Sequence, residues 1–184
     1  MKRHTIFLFL LAAVGIAVAA KTPDATLAKA YDADVNAAEK EIVSLAEAMP
    51  ADKYNFAPTG GEFTGVRTFA LQMRHIATIN YLVAAALLEE KNPVEMGKSE
   101  NGADSLTDKD AIVKYLKDSF AYAHKAIDTI TEKNVSGEVK SPFGQGNATR
   151  ASLATIFAWH SFDHYGQAVV YARMNGVVPP ASRR

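Results

Sequence analysis

The chain has 184 residues, no cysteine, and 20 basic against 20 acidic residues. The lack of cysteine excludes disulfides and a covalently attached c-type haem. The formal net charge of zero argues against a nucleic-acid partner, which would favour a basic protein face.

Residues 1–20 have the pattern of a cleavable secretory signal. The basic segment Met1–His4 precedes the apolar run Thr5–Ala20, and Ala17-Val18-Ala19 supplies small residues for cleavage. We expect residues 21–184 to form one exported domain, periplasmic or extracellular. An uncleaved membrane anchor is the alternative, but the apolar run is shorter than the ~20 residues that span a bilayer. No membrane contact is therefore expected after cleavage.

Apolar residues recur at three- and four-residue steps along the rest of the chain, which predicts four helices. No segment alternates clearly enough to predict a strand. The first two helices are expected at about 24–49 and 67–90. A capping box from Thr107 to Asp110 should open the third helix, whose apolar face runs from Ile112 to Ile130, and Thr149 should cap the fourth.

Four helices of this length predict an all-α four-helix bundle. The connections at 50–66, 91–107 and 133–148 are unusually long for such a bundle. Long loops in a compact domain either serve the function or are tolerated at the surface, and the sequence leaves both readings open.

Three histidines form the candidate site. His160 and His164 are one turn apart on one face of the fourth helix, and His75 lies ~12 Å into the second helix. The two helices place the histidines at similar depth whichever way the fourth helix runs. Three imidazoles meeting at one point suit a divalent metal with open positions. The alternative is that the histidines are core residues that bind nothing, and His124 is assigned no role.

Other side chains near the histidine pair narrow the chemistry. Ser161 stands where a zincin protease needs a glutamate, and no Glu-x-x-His motif of a di-iron bundle is present. Gln167 lies on the metal face, where it either holds a water or substrate or is a buried amide bonding across the bundle. Asp163 points ~100° away from His164 and is either a solvated acid or a support for the site.

The large aromatic residues of the fourth helix and Tyr81 have two readings. They could line an apolar pocket, but bulky aromatic side chains at helical spacing usually belong to the core, and we expect them there. These residues are Tyr81, Trp159, Phe162 and Tyr165.

Two segments carry a resemblance to a known family. They are MPADKYNFAPTGGEF leading into TFALQMRHIA, and WHSFDHYGQAVVYARMNGVVPPAS with its HxxxHxGQ pattern. The chain resembles the DinB-like (damage-inducible) superfamily of metalloenzymes. The resemblance implies up-down-down-up connectivity, a frequent homodimer, and a divalent metal held by His75, His160 and His164. The family commonly has Glu where Asp163 stands here.

The resemblance also bears on the reaction. Characterised relatives include transferases and isomerases that use low-molecular-weight thiols, which an exported protein would rarely meet. We therefore favour a metal-dependent hydrolase of a small-molecule substrate, with zinc, nickel or iron as the ion. A three-ligand ion keeps a position for water, whose pKa it can lower to about 7. A thiol-dependent transferase or isomerase and a noncatalytic metal or small-ligand carrier are the alternatives, and the catalytic residues stay unassigned.

Overall fold

The computed structural model describes residues 27–183, so the predicted signal at 1–20 lies outside the described residues. Four helices account for most of this part of the chain, and the all-α prediction is confirmed. They are α1 (Leu27–Ala48), α2 (Phe69–Leu88), α3 (Lys109–Ile127) and α4 (Arg150–Met174). Single 3₁₀ turns lie at Ala51–Lys53, Lys98–Glu100 and Pro180–Ser182. None of the helices in residues 27–183 is long and apolar enough to cross a membrane.

The helix starts follow from their capping residues. The Thr149 hydroxyl accepts from the Ser152 amide at 3.1 Å, as predicted for α4. For α3 the prediction of a Thr107–Asp110 capping box was wrong, because the helix begins one residue later. Asp108 has an extended backbone, and its carboxylate accepts from the Ala111 amide at 2.9 Å. This bond satisfies one of the free amides of the first turn.

Two pairs of neighbouring helices run antiparallel. The Lys109 ammonium at the start of α3 donates to the Glu47 carbonyl at the end of α1. Arg150, at the start of α4, donates to the Leu87 carbonyl at the end of α2 at 2.6 Å. Each contact joins the beginning of one helix to the end of the other, so α1 opposes α3 and α2 opposes α4.

The consecutive helices α2 and α3 run parallel. Thr78 bonds Tyr115 at 3.1 Å, and further along α3 Tyr122 donates at 2.9 Å to Glu90, just beyond the end of α2. Together with the antiparallel pairs, these contacts give up-down-down-up connectivity. Residues 89–108 must therefore travel the length of the bundle, which explains why this connection is long.

The core lies between the four helices, and each of them contributes buried apolar side chains to it. The predicted stripe on α1 is buried from its third turn onward, with Val35, Ala38, Ile42 and Leu45 fully inaccessible. Helix α2 is the most buried of the four, in keeping with its nearly uninterrupted apolar sequence. Because most of this helix is buried, the polar side chains on its buried positions are unusual.

The connection between α3 and α4 contains a short hairpin that was not predicted. Strand β1 (Glu138–Lys140) pairs antiparallel with β2 (Asn147–Thr149), and β2 leads directly into α4. Each strand has three residues and only Val139 is buried, so no alternation long enough to detect exists in the sequence. The hairpin fixes the tip 141–146 beside the bundle.

Candidate metal centre

The three predicted histidines meet in the structure. His75 lies in the first half of α2, while His160 and His164 lie on either side of the middle of the antiparallel helix α4. The Nε2 atom of His160 is 3.2 Å from Nε2 of His75 and 3.2 Å from Nε2 of His164. Two nitrogens on a tetrahedral zinc ion are about 3.3 Å apart, given bonds of about 2.0 Å. The spacing therefore suits nitrogens that share one ion.

A backbone carbonyl sets the orientation of His75. Its Nδ1 lies 2.9 Å from the carbonyl oxygen of Glu100, which can only accept a hydrogen bond. Nδ1 therefore carries the proton of the neutral ring, and Nε2 turns a lone pair toward the other two histidines. This is the usual arrangement behind a metal-ligating imidazole.

A chain of side-chain hydrogen bonds does the same for His164. Its Nδ1 lies 2.5 Å from Gln72 Oε1, Gln72 Nε2 donates to Gln167 Oε1 at 3.0 Å, and Gln167 Nε2 donates to Asp163 at 3.4 Å. A carboxylate ion at the end can only accept, so the chain has one direction and the proton of His164 must be on Nδ1. The Nε2 lone pair of His164 is thereby left for a metal.

His160 has no such partner. Its Nδ1 is buried without a hydrogen-bond partner among the described residues. If the proton of His160 is on Nδ1, the Nε2 lone pairs of all three histidines face one another. If the proton is on Nε2, it is shared between the lone pairs of His75 and His164, and the buried Nδ1 of His160 is left as an unpaired acceptor. Neither arrangement satisfies the group, whereas a cation would accept all three lone pairs. The donor set therefore fits a divalent ion.

Burial keeps the three rings neutral. It lowers the pKa of His160 to about 3, with further contributions from His164, His75 and Arg67. Burial and the neighbouring His75 also lower the pKa of His164 to about 4, and burial is the main cause that lowers the pKa of His75. All three rings are consequently uncharged at neutral pH, as metal binding requires.

Two arginines hold the connection at residues 89–108, here called the crossover loop, beside the site. Arg74, only 7% exposed, donates to the backbone carbonyls of residues 101–103 at 2.6–3.2 Å. Arg67 donates to the Asn101 side chain at 2.9 Å. These bonds hold Glu100 in a left-handed conformation (φ 59°), which is strained for a side-chain-bearing residue. This long loop therefore serves the site, because it supplies the carbonyl that orients His75.

Two cavities adjoin the histidines. One, of about 410 Å³, is polar and contacts Gln72 and Gln167, which support the ligands, together with Arg67. The other, of about 280 Å³, is lined by His75 and His160 themselves. Its remaining walls are mostly apolar and include Trp159. The second cavity is therefore the direct approach to the ligand nitrogens.

The expectation that the aromatic side chains belong to the core is wrong for two of them. Trp159 is 58% exposed and lines the smaller cavity, and Phe162 is 40% exposed. Both lie on the outer side of α4, whereas Tyr81 and Tyr165 are half-buried. Helical spacing alone could not distinguish these sides, because α4 has almost no net apolar face.

The remaining candidates fall into place beside the site. Gln167 does bond across the bundle, but it is exposed, and Asp163 is an exposed acid at the end of the same chain. Sequence reasoning missed Gln72, whose position three residues before His75 on the same helical face was the available signal. His124 is in α3, bonded to Asp32 and Glu39, and is not part of the histidine group.

Comparisons with known proteins agree with this fold. The model of the DinB superfamily matches residues 34–168. A DinB-like protein from Bacillus cereus has a TM-score of 0.66 at 14% identity, covering 84% of this chain and 96% of that one. A conserved protein from Enterococcus faecalis has a TM-score of 0.64 at 17% identity, covering 82% and 97%. A DinB-like protein from Bacillus subtilis has a TM-score of 0.59 at 18% identity, covering 84% and 99%. No curated protein matches.

The chain belongs to the DinB superfamily, because the family model covers most of its length. Structural relatives at such low identity show the fold alone. The three histidines of this chain lie close enough together to hold a metal ion.

Proposed function

We propose that this protein is an exported, metal-dependent hydrolase whose divalent ion is held by His75, His160 and His164. The observation that carries the proposal is the convergence of the three Nε2 atoms, two of them fixed in the ligating tautomer by Glu100 and Gln72. Export is supported by the signal-like sequence of residues 1–20.

The composition of the group favours an open site over a closed structural one. Among residues 27–183, no fourth histidine or carboxylate joins the three histidines. A structural zinc site uses four protein ligands, whereas a catalytic one keeps a position free. Three neutral ligands also leave the full charge of the ion uncompensated, which favours Lewis acidity. When bound, the ion would supply a polarising centre for a carbonyl group and a coordination position for water.

The protein's own residues would position and shield this centre. The Gln72–Gln167–Asp163 chain holds His164 in place and places a negative charge at its far end, which increases the ligand basicity of the imidazole. The Glu100 carbonyl holds His75 in place in the same way. Trp159 limits the access of water beside His160. These supports make the site rigid before any substrate arrives.

The test is turnover by tag-free protein loaded separately with zinc, nickel or iron. We expect hydrolysis of members of a panel of small esters, lactones and amides, lost in the metal-free protein and in His164→Ala. Metal binding with no turnover on the whole panel, with or without added thiols, would contradict the hydrolase and leave a carrier. Turnover only with an added low-molecular-weight thiol would instead identify a thiol-dependent transferase.

A further inference from the structure

The proposed metal ligands His75 and His160 line the cavity of about 280 Å³ together with Glu100 and four apolar side chains. Ile79 comes from α2, Ile156 and Trp159 come from α4, and Phe143 comes from the hairpin tip. Three separate segments of the chain thus contribute the apolar side chains of this chamber beside the histidines, and Glu100 of the connection between α2 and α3 completes its lining. We propose that this chamber binds a planar apolar ring, so that the substrate carries a single ring next to its metal-binding group.

The exposure of the chamber's aromatic walls supports a ligand-binding role. Trp159 is 58% exposed and Phe143 is 42% exposed. Phe143 is held by a tight local turn, in which Ser141 Oγ donates to the Phe143 carbonyl at 3.0 Å and accepts from its amide at 3.1 Å. When a ligand covers large apolar side chains that are exposed to water, the burial of their surface makes the free energy of binding more favourable.

The size and the largely apolar lining of the chamber favour a ring. A cavity of about 150 Å³ lined by apolar side chains accommodates benzene, so about 280 Å³ leaves room for one ring and a short polar arm. The Trp159 ring already lies edge-to-face against His160, with centroids 5.8 Å apart and an interplanar angle of 85°. Aromatic groups favour such edge-to-face contacts. No lysine or arginine lines the chamber, so it offers no partner for an anionic substituent on the ring.

The inference rests on the proposed metal centre, and hydroxamates separate the two claims. Benzohydroxamate and acetohydroxamate present the same chelating group but differ in the ring. With the metal-loaded protein, we expect benzohydroxamate to bind about tenfold tighter or more, after correction for their affinities for the free ion. Calorimetry gives both dissociation constants, and Trp159, the only tryptophan of the chain, offers a fluorescence signal beside the ligand.

Variants show whether the chamber is the cause. Phe143→Ala should reduce the affinity ratio to about threefold or less while leaving acetohydroxamate binding unchanged. Trp159→Ala should reduce the ratio as well. Phe162→Ala is the matched control, because Phe162 is a similarly exposed aromatic residue of α4 that does not line the chamber. It should keep the full ratio, and circular dichroism should show unchanged helicity in all three variants.

The outcomes distinguish the two claims. Equal affinity for the two hydroxamates in the wild-type protein, or an unchanged ratio in both chamber variants, would overturn the ring pocket and leave the metal centre intact. Failure of the protein to take up metal, with neither hydroxamate bound, would overturn both.

Discussion

Replacing Gln72 with leucine should weaken metal binding without removing a ligand. Gln72 is 1% exposed, and its side-chain oxygen accepts the Nδ1 proton of His164 at 2.5 Å. Leucine has a similar volume but no acceptor, so the buried Nδ1–H is left unpaired at a cost of about 1–3 kcal/mol. His164 can then move its proton to Nε2, the atom that must be bare to bind a metal.

The expected loss of metal affinity is about 10- to 100-fold, the usual effect of removing a group that orients a ligating histidine. At saturating metal this corresponds to about 1.4–2.7 kcal/mol of lost stabilisation, or a metal-induced rise in Tm that is about 3–10 °C smaller. Competition with a chelator of known affinity measures the loss directly. Melting with and without metal measures it independently.

Two variants test the reasoning. Gln167→Ala leaves Gln72 on His164 and removes only the link to Asp163, so its loss of metal affinity should be clearly smaller than that of Gln72→Leu. Gln72→Glu keeps an acceptor for His164 and should retain most of the affinity. A folded Gln72→Leu protein that binds metal as tightly as the wild type would refute the role given to the chain.

Three further predictions concern His124 and two glycines. Burial lowers the pKa of His124, but bonds to Asp32 and Glu39 outweigh it and leave the pKa above 6.5. The stabilisation of the folded protein by protonated His124 is complete below about pH 6.5 and is lost as pH rises through the raised pKa. In urea unfolding, the free energy of unfolding should therefore fall by about 1 kcal/mol toward pH 9 in the wild type but not in His124→Gln. Equal pH slopes in the two proteins would argue against this role of His124. Gly97→Ala would place a Cβ 1.8 Å from the backbone oxygen of Gly102 and so displace the crossover loop. Chelator competition should then show weaker metal binding with little change in helicity. An unchanged metal affinity would contradict the role of the loop in orienting His75. Gly166 has no atom within 4 Å of a built Cβ, so Gly166→Ala should raise the free energy of unfolding by about 0.5–1 kcal/mol, and a decrease would indicate a close contact.

The parts of the structure that the sequence predicts are those governed by local periodicity. The apolar stripe of α1 and the Thr149 cap of α4 depend on residues three or four positions apart, and both were found. The i, i+4 spacing of His160 and His164 placed them on one face in the same way. The hairpin escaped prediction because its strands are too short to show a pattern, and the α3 cap shifted by one residue because Thr107 and Asp108 are both good caps.

The supports of the site could not be predicted for a different reason. Gln72 and His164 are 92 residues apart, and a glutamine among apolar residues carries no mark of its partner. The Glu100 carbonyl is a backbone group that any residue possesses, so only the path of the loop makes it special. Trp159 looked like a core residue until the direction of its helix face was known. The candidate ligands were thus visible in the sequence, whereas the groups that orient them required the tertiary structure.

The most direct test of the metal centre is elemental analysis of tag-free protein after exposure to zinc, nickel and iron and removal of free ions. The wild-type protein should retain one divalent ion per chain, and His160→Ala should retain none while keeping its helical content. His124→Ala, a histidine variant outside the site, should bind metal like the wild type. Wild-type protein free of metal, or equal metal in His160→Ala, would contradict the three-histidine centre.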